Sequence, residues 1–267
     1  MNGTQAVEYI HSLRHRGKKS GLDKMRRLLQ FLGNPQDRLK FIHVIGTNGK
    51  GSTSTMTANI LTDCGYKTGL FISPFILDFR ERMQIDGQMI APEELAACVQ
   101  EVKPFADQME AAGECPTEFE MVTAAALVFF ARQQCDIVVL EAGIGGRLDC
   151  TNVIETAVAA VICAIGLDHV QILGNTVEEI ARDKCGILRD GLPCVCYPKQ
   201  DTAALGVILE ECARHGSRLI QANPAAAQIH SQTLAGTQLS YRGMQLSLPL
   251  VGPHQVCNCQ MCIRDRV

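Results

Sequence analysis

The stretch FIHVIGTNGKGSTSTMTANIL, residues 41–61, runs from a short apolar segment through three glycines into a helical period. FIHVIG (41–46) reads as a strand, and over 50–65 the spacing of Met56, Ile60 and Leu61 lets them share one helix face. Strand, glycine-rich turn and helix together make a phosphate cradle. Backbone N–H groups of the turn and of the helix N-terminus concentrate positive potential where an anion can sit. Gly46, Gly49 and Gly51 let the backbone turn tightly and approach a ligand. Lys50 adds a full charge, and Ser52 or Thr53 offers a hydroxyl to phosphate or magnesium. The spacing departs from G-x-x-x-x-G-K-[ST], because Val44 stands six residues before Lys50 and Gly51 precedes the hydroxyl. An ordinary glycine turn with an exposed lysine is the competing reading; strand, loop, helix and lysine in combination weigh against it.

Outward from this motif the chain alternates. KTGLFIS (67–73), DIVVLEAG (136–143), AVAAVICAIG (157–166), GLPCVCY (191–197) and SRLIQA (217–222) read as strands. Residues 92–112 carry Leu95, Val99, Val102, Phe105 and Met109 at helical steps, and 118–134 is a more uniformly apolar helix. Helices also fit 176–188, where Thr176 can cap toward Glu179, and 201–215. The alternation predicts an α/β fold: a mostly parallel sheet with helices on both faces, of P-loop type. Near-continuous apolar strands such as IVVL and AVAAVI suit a sheet buried on both sides. TQLSYRGMQLSLPL (237–250) reads as a small antiparallel hairpin turning at Arg242-Gly243. LPLVGPHQ looks like a strand ending in a turn, whereas VCNCQMCIRDRV is expected to hold no completed element.

Composition narrows the function. The 267 residues carry 25 Lys and Arg against 28 Asp and Glu, a net charge of −3, which argues against a dedicated nucleic-acid binder. Hydrophobic residues make up 46%, enough for a packed core, and no apolar run nears the roughly 20 residues of a membrane span. MNGTQAVEYIHSLRHRGKK is not a secretory signal. Thirteen scattered cysteines, an odd number without such a signal, fit reduced thiols in the cytoplasm. Cys257-x-Cys259-x-x-Cys262 lacks a second ligand pair and reads poorly as a zinc site. The basic run Arg14–Lys19 reads as solvated surface.

GTNGKGST and four further segments in the same order resemble the Mur ligase superfamily, specifically the folylpolyglutamate synthase/dihydrofolate synthase family. The segments are GLDKMRRLLQFLGNP (21–35), SPFILDFRERMQIDG (73–87), EAGIGGRLDCTN (141–152) and LDHVQILGNTVEEIARDKCGI (167–187). EAGIGGRLD separates folate ligases from cell-wall ligases. The resemblance implies ATP-dependent amide ligation, in which the carboxylate of a folate or of dihydropteroate becomes an acyl phosphate that L-glutamate then attacks.

Residue by residue, the resemblance implies that Gly49, Lys50, Gly51 and Ser52 hold the ATP phosphates and that Asn258, in HQVCN, also contacts ATP. It implies Mg2+ on Ser73, Glu141 and His169, with Asp168 preceding the histidine, and a carbamylated lysine at Lys184. Lys50, His169 and Lys184 take the catalytic roles, and Thr117, Arg147, Leu148 and Asp149 the pterin-substrate contacts. Blander readings stand beside these. Ser73 before Pro74 could start a turn, His169 could be a satisfied loop residue, and Lys184 a solvated helix residue. Glu141 is harder to dismiss. It ends an apolar strand, where a buried unpaired carboxylate is costly and where parallel sheets gather their ligands. Phe75 stands where the family has histidine. The expected organisation is an ATP- and folate-binding domain over 1–258, an anomalous tail over 259–267 and no C-terminal glutamate-ligase domain. The expected working unit is a cytoplasmic monomer without nucleic-acid or membrane partners.

Overall fold

The computed structural model of the chain describes residues 1–17 and 21–263. In chain order these form α1 (Gly3–Ser12), α2 (Asp23–Phe31), β1 (Phe41–Ile45), α3 (Lys50–Asp63), β2 (Thr68–Phe71), β3 (Met83–Ile85) and β4 (Gln88–Met89). There follow α4 (Pro92–Ala111), α5 (Glu118–Arg132), β5 (Ile137–Glu141), β6 (Ala157–Ile162), α6 (Val170–Leu173), α7 (Val177–Cys185) and β7 (Cys194–Cys196). The remainder is α8 (Thr202–Arg214), β8 (Leu219–Gln221), β9 (Ala227–Thr233), β10 (Gly236–Tyr241), β11 (Met244–Leu248) and α9 (Pro253–Ile263).

The main sheet has the order β4-β3-β2-β5-β1-β6-β7-β8. From β2 to β8 all pairs are parallel, while β3 and β4 are antiparallel additions at one edge. Period-two alternation along β1 decides what each face meets. Phe41 packs with Phe71, Leu140 and the helices α1, α2, α4 and α5 in one core, and Ile45 joins Ile162, Ile180 and Ile208 beneath α7 and α8. Val44 turns the other way, toward Val139, Ala58 of α3 and Met261 of α9. The predicted mostly parallel sheet with helices on both faces is therefore present.

Three expectations change. The C-terminal hairpin is a three-stranded sheet, β11-β10-β9: Ala227–Thr233 adds a strand whose side chains are mostly exposed, so it lacked the apolar alternation that marks a strand. VCNCQMCIRDRV does hold a completed element through residue 263. Helix α9 runs across the 258/259 division and buries Val256, Cys257, Asn258, Cys259, Gln260 and Met261; residues 264–267 lie outside the described residues. Its buried face is cysteine and amide rather than Leu or Ile, which hid its period. Finally, α3 buries Thr53, Ser54, Thr57 and Ala58, while Met56, Ile60 and Leu61 stay half-buried. Small side chains on that face bring α3 close to the sheet and to α9. Of the basic run, Arg14 and Arg16 pair with Glu118 and Glu110, and Lys18 and Lys19 lie outside the described residues.

Candidate active site

The phosphate loop leaves β1 at Ile45 and enters α3 at Lys50. A side chain on Gly46 would come within 2.6 Å of Cys163 Cβ. Gly49 has φ 86°, and a Cβ there would lie 2.8 Å from Asn258 Oδ1, so the amide of α9 sits directly on the loop. The N–H groups of Thr47 and Asn48 both donate to Ala164 O, at 2.8 and 3.1 Å. The Thr47 hydroxyl donates to Gly166 O and accepts from Gly166 N–H. The amides that open toward an anion are therefore those at the start of α3, where no side chain caps the helix. Of the two candidate hydroxyls, Thr53 is buried and accepts from Cys163 Sγ, while Ser52 stays accessible and accepts from Gln255 Nε2 at 3.3 Å. Asn258 Nδ2 donates in turn to Gln255 Oε1.

Two lysines meet on one carbonyl. Lys50 Nζ donates to Gly46 O at 3.1 Å and to Thr47 O at 3.3 Å, and Lys184 Nζ reaches the same Gly46 O at 3.0 Å from α7. Lys184 is only 4% exposed, so it is not the solvated helix residue its position in a helix suggested. Burial, helped by the neighbouring Lys50 charge, brings it down to about 8. Glu141 lies level with Val44 across the β1–β5 pairing and is 2% exposed. Burial pushes its carboxyl up to about 7 against the pull of the Ser73 N–H, Lys50 and Arg82. Ser73 N–H donates to Glu141 Oε2 at 3.0 Å.

A cavity of about 560 Å³ opens above this pair, with Lys50, Ser73, Arg82, Thr117, Leu148 and His169 among its lining residues. His169 sits at the left-handed start of α6 (φ 46°), its ring half-exposed and its Nε2 3.7 Å from Asp168 Oδ2. Among the described residues no three His, Cys, Asp or Glu side chains gather as a metal cluster. A single buried carboxylate with a serine beside it and an imidazole on the same cavity still suits Mg2+, which takes few protein ligands and completes its shell with phosphate oxygens and water. Glu141, with its raised carboxyl, is the residue here that a cation would most relieve.

The expected pterin contacts divide. Thr117 caps α5: its Oγ1 accepts from Glu120 N–H, and Glu120 Oε2 accepts from Thr117 N–H. Leu148 lies half-exposed on the cavity wall, whereas the Arg147 side chain is 71% exposed and runs toward Asp183 at 3.9 Å. Asp149 is fully engaged. Its Oδ2 accepts from Gly143 and Ile144 N–H, and its Oδ1 accepts from Thr151 N–H and Oγ1. It is a clasp for the wall of the cavity. Cys257 and Cys259 belong to separate core clusters and Cys262 donates to Thr53 O and Asn258 O, so the three sulfurs do not form a common site.

Arg82 escaped the sequence reading. Its guanidinium lies over Phe75 at 5.2 Å and Phe79 at 5.5 Å, and its buried Nε has no hydrogen-bond partner among the described residues. Phenylalanines three and seven positions before an arginine were the signal available. Phe75, at the family's histidine position, serves here as a platform for that cation.

Residues 44–264 match the Mur ligase middle domain. The dihydrofolate synthase/folylpolyglutamate synthase of Bacillus subtilis is 39% identical over 97% of the chain, which spans 61% of that protein. The folylpolyglutamate synthase of Lacticaseibacillus casei is 37% identical over 99% of the chain, which spans 63% of it. A solved FPGS–AMPPCP–folate complex superimposes with a TM-score of 0.90 at 36% identity, covering 99% of this chain and 66% of that one. The chain thus spans somewhat under two thirds of these two relatives, and with most of its length matching the family model it belongs to the Mur ligase middle-domain family.

Proposed function

We propose that the chain carries the nucleotide- and folate-binding part of an ATP-dependent ligase that adds L-glutamate to folates, and to dihydropteroate, through an acyl phosphate. The observation that carries this reading is the convergence of Lys50 and Lys184 on Gly46 O at the open start of α3, beside a cavity that Lys50, Ser73 and Arg82 line together. The relatives support it: one is solved with AMPPCP and folate, and another is named both dihydrofolate synthase and folylpolyglutamate synthase.

The ATP phosphates lie on the amides and side chains of Gly49, Lys50, Gly51 and Ser52, with Asn258 closing the loop from above. Lys50 and Lys184 offset negative charge on the transferring phosphoryl group. Thr117, Arg147, Leu148 and Asp149 border the folate-class substrate, Leu148 by contact and Asp149 by shaping the wall; Arg82 offers a carboxylate a partly buried cation whose Nε has no other partner among the described residues. The substrate carboxylate attacks the γ-phosphorus and ADP leaves. The glutamate amine then attacks the acyl carbon, loses a proton and expels phosphate. Mg2+ held by Ser73, Glu141 and His169 would supply charge neutralisation at the phosphates. Lys184 close to 8 has a neutral amine within reach, which suits its conversion to a carbamate.

The binding domain then runs past the expected boundary at 258 and takes in all of α9 as its closing helix. We assign it to the cytoplasm and to a single copy of the chain; thirteen cysteines, ten of them buried, suit a reducing compartment. No helix among the described residues is long and apolar enough to cross a membrane. The test incubates the chain with ATP, a folate acceptor and labelled glutamate, following ADP and labelled product, beside calorimetric titration with AMPPCP. Product establishes the ligase. Nucleotide binding without product would make the chain a binding module, and no binding would remove the assignment.

A further inference from the structure

The central strand of the sheet carries one ionisable side chain that none of these roles uses. His43 lies in β1 between Ile42 and Val44, flanked by Leu140 of β5 and Ala160 of β6, and is 1% exposed. Its Nε2 lies 2.9 Å from Thr151 Oγ1. Burial, with the Arg189 charge adding to it, holds the imidazole down to about 3, so it is neutral. Thr151 Oγ1 lies 2.6 Å from Asp149 Oδ1 and donates its proton there, because the carboxylate only accepts. The hydroxyl can then only accept from His43, which places the ring proton on Nε2. Asp149 Oδ2 takes Gly143 N–H at 3.0 Å and Ile144 N–H at 2.9 Å, and both residues line the substrate cavity.

We infer that His43 is a positioning residue: through Thr151 it orients Asp149, and through Asp149 it fixes the Gly143–Ile144 wall against which the folate-class ligand binds. The hydrogen bonds run in one direction, imidazole to hydroxyl to carboxylate, and end on two backbone amides of the site. An apolar residue in β1 would fill the same space. It would leave the Thr151 hydroxyl without its donor, free to rotate away from Asp149, and the clasp would lose its orientation. The nucleotide side is held separately, by Thr47 on Ala164 and Gly166, so the wall can loosen without the phosphate loop following.

The test combines side-chain 15N NMR of the wild-type chain with amide exchange and ligand titration of His43→Leu and His43→Gln, the latter retaining an amide donor near the Nε2 position. The expected spectrum shows a neutral ring protonated at Nε2. In His43→Leu the Gly143 and Ile144 amides exchange roughly tenfold faster, the loss of about one hydrogen bond's worth of protection. The Kd for folate rises by a similar factor, the Kd for AMPPCP stays within about twofold, and His43→Gln restores both exchange and folate affinity. A ring protonated at Nδ1, unchanged exchange at Gly143 and Ile144, equal weakening of both ligands, or a glutamine variant no better than leucine would each overturn the inference. Should His43→Leu fail to fold, the wild-type ring spectrum and His43→Gln decide it. The ligand arm rests on the cavity being the folate site. If wild-type chain binds AMPPCP but no folate, that assignment falls, while the ring proton and the exchange rates still decide the relay.

Discussion

At the carboxyl ends of β1, β5 and β6 the charges are few, buried and short of partners. Between α7 and α8, Lys184 apart, the charges are mutually satisfied: Arg182 pairs with Glu210 and Glu211, and Arg214 pairs with the same two carboxylates, all but Glu211 about half-exposed. The physical chemistry of the two places is opposite. Neighbouring carboxylates raise Arg182, favouring the charged form it already has. Burial drives Glu141 and Lys184 toward their neutral forms, up to about 7 and down to about 8. Paired surface charge adds little to a fold, whereas buried charge without a partner costs it stability and marks where a ligand's charge belongs.

The contrast is broken most directly by function. Lys50→Ala removes the cation at the loop and should weaken AMPPCP binding by about a hundredfold, the worth of a charge-assisted contact to phosphate, as read by calorimetry. An affinity within a factor of three of wild type would remove Lys50 from the site.

Stability against pH comes next. Burial lifts the Glu141 carboxyl to about 7 from its ordinary 4.5, so the folded chain holds that proton more tightly; its favourable contribution is complete below 4.5 and is lost as pH rises through 7. Lys184 titrates near 8 folded against 10.5, so its contribution is present above 10.5 and is lost as pH falls through 8. The two penalties overlap between pH 7 and 8, each worth about 3 kcal/mol at most. Denaturant melts of the unliganded chain should therefore show a stability minimum there, one that Glu141→Gln flattens on the acid side. A maximum at pH 7–8 in that variant-matched series would contradict the assignment.

Lys184→Met tests the same burial without titration. It removes the desolvated ammonium at the cost of one bond to Gly46 O, and should raise the stability of the unliganded chain by about 2 kcal/mol at pH 7. The smallest effect belongs to the surface: Arg182→Ala should leave the melting temperature within about 2 °C of wild type. If Arg182→Ala moved the melt further than Lys184→Met, the distinction between the two charge groups would be wrong.

Much of this was legible before the structure. The β-branched runs at 41–46, 136–143 and 157–166 and the helical periods at 92–112 and 118–134 mark their elements because burial on one stripe or two faces leaves a direct trace in hydrophobicity. Helix α9 left none, since its buried face is Cys257, Asn258, Gln260 and Met261, chosen to sit on a phosphate loop and a row of threonines. Strand β9 is held by backbone pairing to β10 with hardly any buried side chain. The Asp86-Gly87 turn, both residues at positive φ, was a readable hairpin sign for β3 and β4 that passed unused. Lys50 begins α3 and Glu141 ends β5, so their places could be read from strand and helix patterning, whereas Ser73 and Lys184 were singled out only by resemblance to the family. The closure of Asp149 on Gly143, Ile144 and Thr151 and the seat of Arg82 on Phe75 and Phe79 are local in the chain, but they lie in irregular segments whose backbone course hydrophobic periodicity does not encode.

The latch between Thr47 and the exit of β6 has a consequence for the thermodynamics of binding. Three hydrogen bonds from Thr47 and Asn48, and a fourth from Gly166 back to Thr47, tie the phosphate loop to the segment leading into His169. Those backbones lose their conformational freedom when the chain folds, at about 1–2 kcal/mol per residue, so a nucleotide arriving later does not have to order them. Binding heats should accordingly reflect phosphate and cation chemistry with little loop-ordering entropy mixed in, and the two loops should shift together or not at all.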